Sequence, residues 1–256
     1  LIIPVENGEL ASGLVGEGRM AEPESIAEWL NQFFLSGLEL KGKKVLITAG
    51  PTYEPIDPVR FIGNHSSGKM GVAIAEEMCK RGAEVTLVLG PSDLTVTGAV
   101  KVVKVKSAGE MFDACVKIFP AADIAVMSAA VADYTPVQTA KEKIKKTEND
   151  FAVALTKTKD ILKHLGTHKR PDQFLVGFAL ETSNEKENAL KKLQTKNADI
   201  IVLNSLNDTG AGFGHDTNKI TIFDKTGNIF PFDTKSKKEV AIDIVNTIIQ
   251  QLHANN

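Results

Sequence analysis

Lys44-Val45-Leu46-Ile47-Thr48-Ala49-Gly50-Pro51 is the stretch that decides the fold class. Its first six residues are mostly apolar or β-branched, and Gly50-Pro51 closes the run, which predicts a short buried strand. A helical pattern over residues 68–81, ended by Gly82, and a second apolar run at 84–89 follow it. Near-continuous apolar strands that alternate with helices indicate a parallel sheet covered on both faces.

The same alternation continues along the chain. It predicts further strands at 100–105, 124–128, 174–178 and 200–204, helices at 24–36, 108–119, 184–197 and 236–253, and a hairpin of 219–224 with 229–232. The fold class is therefore α/β, a Rossmann-like three-layer sandwich with a mostly parallel central sheet and a small β-hairpin extension. Because ligands bind beyond the carboxyl ends of such strands, the loops after residues 49, 89, 128, 178 and 204 are expected to carry the chemistry.

The composition is that of a globular α/β protein. The chain has 256 residues, of which 43% are hydrophobic and 24% charged, and its net charge of −2 argues against bulk nucleic-acid binding. No apolar run approaches the roughly 20 residues of a membrane span, and the start has no basic segment typical of a signal peptide. Cys79 and Cys115 lie in apolar or helical patterns and are expected to be reduced thiols. We therefore expect a cytoplasmic protein without nucleic-acid or membrane partners.

The connection after the first strand, residues 50–71, is long for a loop between a strand and a helix. Residues 63–70 nearly fit a phosphate-binding P-loop, but Met70 stands where the Mg²⁺-binding hydroxyl belongs, which argues against a P-loop NTPase. Polar residues precede the helix, and their amides and hydroxyls suit a phosphate or another anionic substrate. These candidates are Asn64, His65, Ser66, Ser67 and Gly68. The alternative for this run is a simple helix cap by Ser66 or Ser67.

Two further interpretations of this loop receive less support. Gly63, Gly68 and Gly71 resemble a dinucleotide fingerprint, but the next strand ends in Leu89-Gly90-Pro91 without the acidic residue that would hold the ribose. An NAD-dependent oxidoreductase is therefore disfavoured. Glu54 and Asp57 are candidates for general acid and base, but their position beside Pro58 and Arg60 favours a structural turn.

Two features follow the fourth predicted strand. Small residues at 128–132 would let a flat ring or a ribose approach the backbone, and Asp133 is a lone carboxylate suited to Mg²⁺ or a sugar hydroxyl, unless it is a turn or cap residue. The lysine run that follows would either be a solvated face or fold over a triphosphate as a lid. Its lysines are Lys141, Lys143, Lys145 and Lys146.

The motifs occur in an order that is far more specific than any one of them. They comprise residues 47–60, Asn64-His65-Ser66-Ser67-Gly68-Lys69-Met70-Gly71, Ala129-Ala130-Val131-Ala132-Asp133-Tyr134, Lys143-Ile144-Lys145-Lys146, Gly177-Phe178-Ala179-Leu180-Glu181-Thr182 and residues 192–204. Over about residues 40–253 the chain resembles the phosphopantothenoylcysteine synthetase domain of a bacterial bifunctional decarboxylase and ligase.

This resemblance implies a reaction and a set of partners. CTP and the carboxylate of 4′-phosphopantothenate would give an acyl-cytidylate and pyrophosphate, and L-cysteine would then displace CMP to form 4′-phosphopantothenoylcysteine. The resemblance also implies Mg²⁺ bound with CTP, a homodimer, and a decarboxylase domain fused to the synthetase in the full-length protein.

The resemblance assigns roles residue by residue. Asn64 and Lys143 would be catalytic, Asn64, His65, Ser66, Ser67 and Gly68 would bind the substrate, and Asp133 would bind the metal. The expected CTP-binding residues are Met127, Ser128, Ala129, Asp133, Lys143, Lys159, Asp160, Ile161, Leu162, Phe178, Lys192 and Lys196. At 158–161 the family usually has Asn-Pro-Asp-Ile where this chain has Thr-Lys-Asp-Ile, so Lys159 is the weakest of these assignments.

The resemblance divides the chain at its N-terminal side. Residues 1–38 are expected to be a remnant tail of the decarboxylase domain and a linker helix, and residues 39–256 the synthetase domain. Ser12 stands where the decarboxylase has its catalytic cysteine, so we expect no FMN and no decarboxylation. An ATP-using version of the ligase and a regulatory nucleotide-binding module without catalysis remain alternatives.

Overall fold

The structure is a computed structural model that describes residues 2–9, 12–35, 38–145, 151–181, 183–205 and 216–254. It separates into two compact units, Leu1–Glu39 and Leu40–Asn256. None of the helices formed by the described residues has both the length and the apolar character needed to cross a membrane.

The first unit holds an antiparallel hairpin and one helix. The hairpin pairs β1 (Glu6–Glu9) with β2 (Val15–Arg19), and helix α1 (Pro23–Leu35) follows. Trp29 and Phe33 lie one turn apart on α1 and stack with ring centroids 5.5 Å apart. The helix confirms the sequence prediction to within a residue at each end. The hairpin was not predicted, because its strands are rich in Gly and Glu and lack an apolar alternation.

The second unit is built from fourteen strands and five helices among the described residues. The strands are β3 (Lys44–Ala49), β4 (Tyr53–Pro55), β5 (Phe61–Gly63), β6 (Glu84–Leu89), β7 (Lys101–Lys104), β8 (Ile124–Met127), β9 (Tyr134–Pro136), β10 (Leu155–Lys157), β11 (Phe174–Glu181), β12 (Ile200–Ser205), β13 (Thr217–Asn218), β14 (Ile220–Asp224), β15 (Ile229–Pro231) and β16 (Lys235–Ser236). The helices are α2 (Lys69–Lys80), α3 (Ala108–Ile118), α4 (Ile161–His168), α5 (Glu185–Thr195) and α6 (Lys237–Ala254).

Eight of these strands form the central sheet, in the order β15-β14-β12-β11-β8-β3-β6-β7. The strands from β12 to β7 run parallel, and β14 and β15 are antiparallel at one edge. This confirms the predicted mostly parallel α/β sheet and its hairpin extension. The hairpin turn is organised by Asp224, whose Oδ1 accepts the backbone N–H groups of Thr226 at 2.9 Å and of Asn228 at 2.8 Å.

Alternation along β3 divides the core between the two faces of the sheet. Val45 and Ile47 belong to an apolar cluster that also contains Ile74 of α2 and Ile244 of α6. Helices α2 and α6 pack beside each other. Leu46 belongs to the opposite cluster, with residues of α3, α4 and α5. Both faces of the strand are therefore buried, which explains its nearly continuous apolar sequence.

The two cysteines are free thiols, as predicted. Cys115 is fully buried in the second cluster, and burial raises the pKa of its thiol to about 12. Cys79 is half-buried on α2. The protonated Cys115 is a packing residue and not a nucleophile.

The sequence analysis missed one helix and several short strands. Helix α4 begins at Ile161 after Asp160, whose Oδ1 accepts the N–H of Lys163 at 2.9 Å and caps it. Three two-stranded antiparallel sheets, β4 with β5, β9 with β10 and β13 with β16, lie outside the central sheet. Their strands have two or three residues each, too few to give a period.

Candidate functional site

A cavity of about 510 Å³ opens where the parallel strands β3, β8 and β11 approach their carboxyl ends. Thr48 and Met127 come from the last two residues of β3 and β8, and Phe178 comes from β11. The start of α4 adds Ile161 and Leu162, and α5 adds Lys192. The lining comprises Thr48, Met127, Ala129, Val131, Asp133, Tyr134, Lys157, Thr158, Lys159, Asp160, Ile161, Leu162, Phe178, Lys192 and Lys196.

The structure brings ten of the twelve expected CTP-binding residues to this one cavity. They are Met127, Ala129, Asp133, Lys159, Asp160, Ile161, Leu162, Phe178, Lys192 and Lys196. Ser128 does not line it; its hydroxyl donates to the carbonyl oxygen of Thr48 at 2.6 Å and faces helix α2 at Gly71. Lys143 does not line it either. The role of these residues in binding CTP stays a prediction.

Five lining residues were not among the predicted ones, namely Thr48, Val131, Tyr134, Lys157 and Thr158. Lys157 reaches the cavity because β10 pairs with β9, which places it opposite Tyr134. Thr158 is held there because its hydroxyl donates to the carbonyl oxygen of Ala132 at 2.7 Å. Tyr134 belongs to a motif quoted above, whereas the pairing of β10 with β9 left no signal in the sequence.

Positive charge dominates the cavity wall. Its lining contains four lysines, Lys157, Lys159, Lys192 and Lys196, and two carboxylates, Asp133 and Asp160. Burial lowers the pKa of Lys192, and the charge of Lys196 lowers it further against the opposing effect of Glu181. Lys196 forms an ion pair with Asp160. Such a wall favours an anionic ligand.

Lys159, the weakest assignment, is among the residues that line the cavity. Its ammonium group is 4.6 Å from the centroid of the Phe112 ring, a cation–π distance. Phe112 also meets His164 edge to face, with centroids 4.8 Å apart. The pKa of His164 is lowered by burial first, and then by His168 and Lys159.

Asp133 is exposed and lies directly before strand β9, so the alternative that it caps a helix is wrong. Within the part of the chain that the structure describes, no group of three or more His, Cys, Asp or Glu side chains is arranged to hold a metal ion. A lone carboxylate nevertheless fits Mg²⁺, because that ion keeps several waters and takes further oxygens from substrate phosphates.

Asn64 connects the long loop to the wall of the cavity. Its Nδ2 donates to the carbonyl oxygens of Ala130 at 3.1 Å and Val131 at 3.3 Å. Helix α2 begins at Lys69, and its N-cap is Gly68 with φ of 84°, a left-handed conformation that favours glycine. The alternative that Ser66 or Ser67 caps α2 is therefore wrong. Instead, the Ser66 hydroxyl accepts the N–H of Gly68 at 3.3 Å.

Two further asparagines were missed as candidates. The side-chain oxygens of Asn204, near the end of β12, and Asn218, on β13, are buried and receive no hydrogen bond from any residue that the structure describes. A buried acceptor without a donor costs about 1–3 kcal/mol, so each oxygen is expected to accept a bond from water or a ligand. Asn204 ends the motif at 192–204, where no role was assigned to it, and Asn218 stands in no such motif.

The structural interpretation of Glu54 and Asp57 is confirmed. Glu54 is buried, and its Oε1 accepts the N–H of Ala108 at 2.7 Å at the start of α3. Asp57 is buried and bonded to Arg60, with Oδ2 2.5 Å from Nη2. Lys143 is exposed on the segment that follows β9, whereas Lys146 lies outside the described residues.

Comparisons with known proteins agree with this architecture. Residues 40–252 match the family described as DNA/pantothenate metabolism flavoprotein C-terminal domain. A solved structure of the C-terminal domain of coenzyme A biosynthesis bifunctional protein CoaBC superposes with a TM-score of 0.73 at 43% identity, and the match covers 85% of this chain and 99% of that chain.

Two curated relatives match nearly the whole chain. A protein from an unknown prokaryotic organism named Cysteine/Cysteine sulfinic acid decarboxylase is 52% identical over 257 residues, 98% of this chain and 72% of that protein. Coenzyme A biosynthesis bifunctional protein CoaBC of Bacillus subtilis is 45% identical over 249 residues, 96% of this chain and 61% of that protein. The chain thus spans less than two thirds of CoaBC. The matched residues 40–252 include every residue that lines the cavity, and the chain belongs to the DNA/pantothenate metabolism flavoprotein C-terminal domain family.

Proposed function

We propose that this chain is a phosphopantothenate–cysteine ligase of coenzyme A biosynthesis that uses CTP. The carboxylate of 4′-phosphopantothenate attacks the α-phosphate of CTP, which forms an acyl-cytidylate and releases pyrophosphate. The amine of L-cysteine then attacks the activated carbonyl, which forms the amide and releases CMP. The observation that carries the proposal is the lysine-lined cavity in a chain whose relatives include CoaBC proteins of coenzyme A biosynthesis.

The cavity has the size and the charge that a nucleoside triphosphate needs. Its volume of about 510 Å³ falls within the range of small-molecule sites. Lys157, Lys192 and Lys196 supply positive charge for the phosphates, while Met127 and Phe178 supply apolar surface for a flat base. Asp133 would bind a ribose hydroxyl or Mg²⁺, and that ion, when bound, neutralises phosphate charge.

Asn64 and Lys143 are the proposed catalytic residues; Asn64 bonds to the loop between β8 and β9, and Lys143 lies in the segment after β9. Asn64 is fixed on the carbonyl oxygens of Ala130 and Val131, so its amide group stands beside the cavity wall where the activated carboxylate would lie. Lys143 follows Tyr134, which lines the cavity, along the same segment. A cation there would stabilise the negative charge that develops on the transferred phosphoryl group.

We also propose that the chain binds no FMN and does not decarboxylate cysteine or cysteine sulfinic acid, although one relative carries that name. Ser12 stands where the resemblance places a catalytic cysteine, and a lysine-lined cavity suits a triphosphate better than an apolar flavin ring. A flavin absorption band in the purified chain, or carbon dioxide released from either amino acid, would contradict this.

The test of the proposed function is a turnover assay that follows pyrophosphate. With 4′-phosphopantothenate present, CTP should release pyrophosphate, and adding L-cysteine should release CMP and form the amide product. If ATP replaces CTP with equal or higher kcat/KM, the ATP-using alternative holds. If neither nucleotide gives phosphopantothenate-dependent pyrophosphate, the ligase proposal is wrong and the non-catalytic binding module takes its place.

We further propose that the ligase is a cytoplasmic homodimer, which in its full-length form carries a fused decarboxylase domain. Support for the dimer comes from apolar side chains around the two small sheets β4/β5 and β9/β10, which lie beside each other. Those with about half or more of their surface exposed are Val59, Phe61, Tyr134, Val137, Phe151 and Leu155. Exposed apolar side chains on adjoining strands are typical of a protein interface.

A further inference from the structure

Asp57 holds more hydrogen bonds than its own turn requires. Its Oδ1 accepts the backbone N–H groups of Val59 and Arg60, both at 2.8 Å, which closes the turn. Its Oδ2 accepts Nε of Arg60 at 3.0 Å and Nη2 at 2.5 Å, and also the backbone N–H of Ile144 at 3.1 Å. The last bond joins residues 87 positions apart and serves no turn.

Arg60 makes the same connection from the other side. Its Nη2 donates to the carbonyl oxygen of Ile144 at 2.7 Å, so both backbone groups of Ile144 are engaged by the Asp57–Arg60 pair. The guanidinium group also lies 5.8 Å from the ring centroid of Phe151. Arg60 therefore contacts the chain before and after residues 146–150.

The segment is fixed a second time just upstream of Lys143. The N–H of Ala140 donates to the carbonyl oxygen of Ile56 at 2.9 Å, and the hydroxyl of Thr139 donates to the carbonyl oxygen of Pro55 at 3.0 Å. Residues 141–143 thus form a short span between two anchored positions, Ala140 and Ile144. The placement of the Lys143 backbone is set by these anchors.

The negative charge on Asp57 strengthens the hydrogen bonds by which Asp57 and Arg60 hold Ile144. The side-chain bond from Arg60 is the largest influence on Asp57; together with the three backbone N–H groups it outweighs burial and keeps the pKa of the carboxyl well below its usual range. The carboxylate is therefore ionised at neutral pH. The Asp57 side chain is 0% exposed and the Arg60 side chain 41% exposed, so water reaches the guanidinium group but is kept from the carboxylate.

We propose that Asp57 and Arg60 form a clasp on Ile144 that positions Lys143 for catalysis, so that Asp57 is a positioning residue of the ligase. This inference rests on the proposed function, because it gives Asp57 a role only in a reaction that uses Lys143. The clasp itself is a property of the folded chain and is testable without substrate.

The first test measures trypsin cleavage after Lys141, Lys143 and Lys145, by mass spectrometry, at a temperature where every variant is folded. Asp57→Asn removes the charge that holds Arg60 and Ile144, so cleavage in this span should rise at least about fivefold relative to cleavage elsewhere in the chain. The matched control is Asp199→Asn. Asp199 is an equally buried carboxylate with two lysine partners, Lys169 at 2.7 Å and Lys225 at 2.8 Å, at the amino end of β12.

The second test measures steady-state kinetics of the same variants. In Asp57→Asn, kcat should fall at least about tenfold, since a misplacement of about 1 Å can cost 100-fold. The KM for CTP should change less than about threefold, because the residues that line the cavity stay in place. Asp199→Asn should lower the melting temperature but leave kcat unchanged.

The outcomes separate the two proposals. Unchanged cleavage in Asp57→Asn overturns the clasp, and faster cleavage with unchanged kcat overturns the positioning role. If the wild-type chain has no ligase activity, the proposed function and the positioning role that depends on it both fail, while the cleavage comparison still decides whether the clasp exists. Should Asp57→Asn not fold, Arg60→Lys serves instead: it keeps the charge but loses the fork that bridges Asp57 and Ile144, and the same changes are expected in smaller measure.

Discussion

The ammonium group of Lys196 pairs with the carboxylate of Asp160 in the lining of the cavity, and the same carboxylate caps helix α4 through the N–H of Lys163. Partial burial raises the pKa of Asp160, but the hydrogen bonds from Lys196 and Lys163 and the charges of Lys196 and Lys192 outweigh it, so the pKa lies below its ordinary value. One aspartate thus joins α5 to the start of α4. Both helices present residues to the proposed nucleotide site.

Two substitutions of Asp160 distinguish the effect of its helix cap from the effect of its ion pair with Lys196. Asp160→Ala removes both and should lower the free energy of unfolding by about 1–2 kcal/mol, the usual cost of a lost cap. Asp160→Ser keeps a cap and loses only a half-exposed ion pair worth less than about 1 kcal/mol. We expect CTP to bind about 3–10-fold more weakly to the Ala variant and within about twofold of wild type to the Ser variant, by calorimetry. Equal weakening in both would show that the carboxylate itself is needed.

Lys192 should make CTP binding sensitive to pH. Because burial lowers its pKa from the ordinary 10.5, it loses its proton at a lower pH than an exposed lysine. Only the charged form attracts the phosphates, so the Kd for CTP should rise as the pH increases through that lowered pKa. Lys192→Met should weaken CTP binding about tenfold and flatten this dependence. The control is Lys191→Met, which alters an exposed neighbour that does not line the cavity; a flattened profile there would contradict the assignment.

The part of the fold that was predicted is the part with local periodicity. β3, α2 and β6 each bury a continuous or regularly spaced set of side chains, so their apolar pattern is visible within a few residues. β9 and β10 are mostly exposed and only three residues long, and they exist because Tyr134 pairs with Lys157 across the chain. Pairing over that distance leaves no local signal.

The residues of the candidate site also differ in whether a sequence motif revealed them. Asp133, Phe178 and Lys192 were identified from motifs that resemble a family, and the structure places them around one cavity. Lys157 was missed because it reaches the cavity through the pairing of β10 with β9, and Thr158 was missed although it lies in the stretch 158–161 that was compared with the family. Lys143 was also predicted to bind CTP; its segment is anchored on the β4–β5 loop, and Lys143 is not among the residues that line the cavity.

Gly71 and Gly109 offer a matched pair of stability tests. A Cβ at Gly71 would lie 2.5 Å from the Cβ of Ala49 and 2.5 Å from Oγ of Ser128, so Gly71→Ala should force α2 off the sheet and cost about 1–3 kcal/mol. A Cβ at Gly109, on α3, would meet nothing closer than Oγ of Ser107 at 3.8 Å. Gly109→Ala should therefore stabilise the chain by about 0.4–1 kcal/mol. Urea unfolding measures both, and a neutral Gly71→Ala would contradict the close packing of α2.

The proposed dimer gives a mass prediction. Light scattering should find the wild-type chain at twice its 27.6 kDa. Val137→Asp places a charge among the exposed apolar side chains of β4/β5 and β9/β10 and should shift the mass to that of one chain. Val102→Asp is the control, because Val102 is an exposed apolar residue on β7, at an edge of the central sheet. A monomeric wild type, or dissociation caused by Val102→Asp alone, would contradict the proposed interface.

Lys143→Gln tests the catalytic lysine most directly. The side chain is exposed, and glutamine keeps most of its length, so the free energy of unfolding should change by less than about 0.5 kcal/mol. Loss of a preorganised charge that stabilises the transition state typically costs 100- to 1,000-fold, and we expect CTP-dependent turnover to fall at least that far. Lys141→Gln changes an equally exposed lysine two positions earlier in the same span and should keep nearly full activity. Pyrophosphate release and thermal unfolding are measured on both variants. Full activity in Lys143→Gln would remove this lysine from the mechanism, whereas equal losses in both variants would mean that the span acts through its total charge and not through one residue.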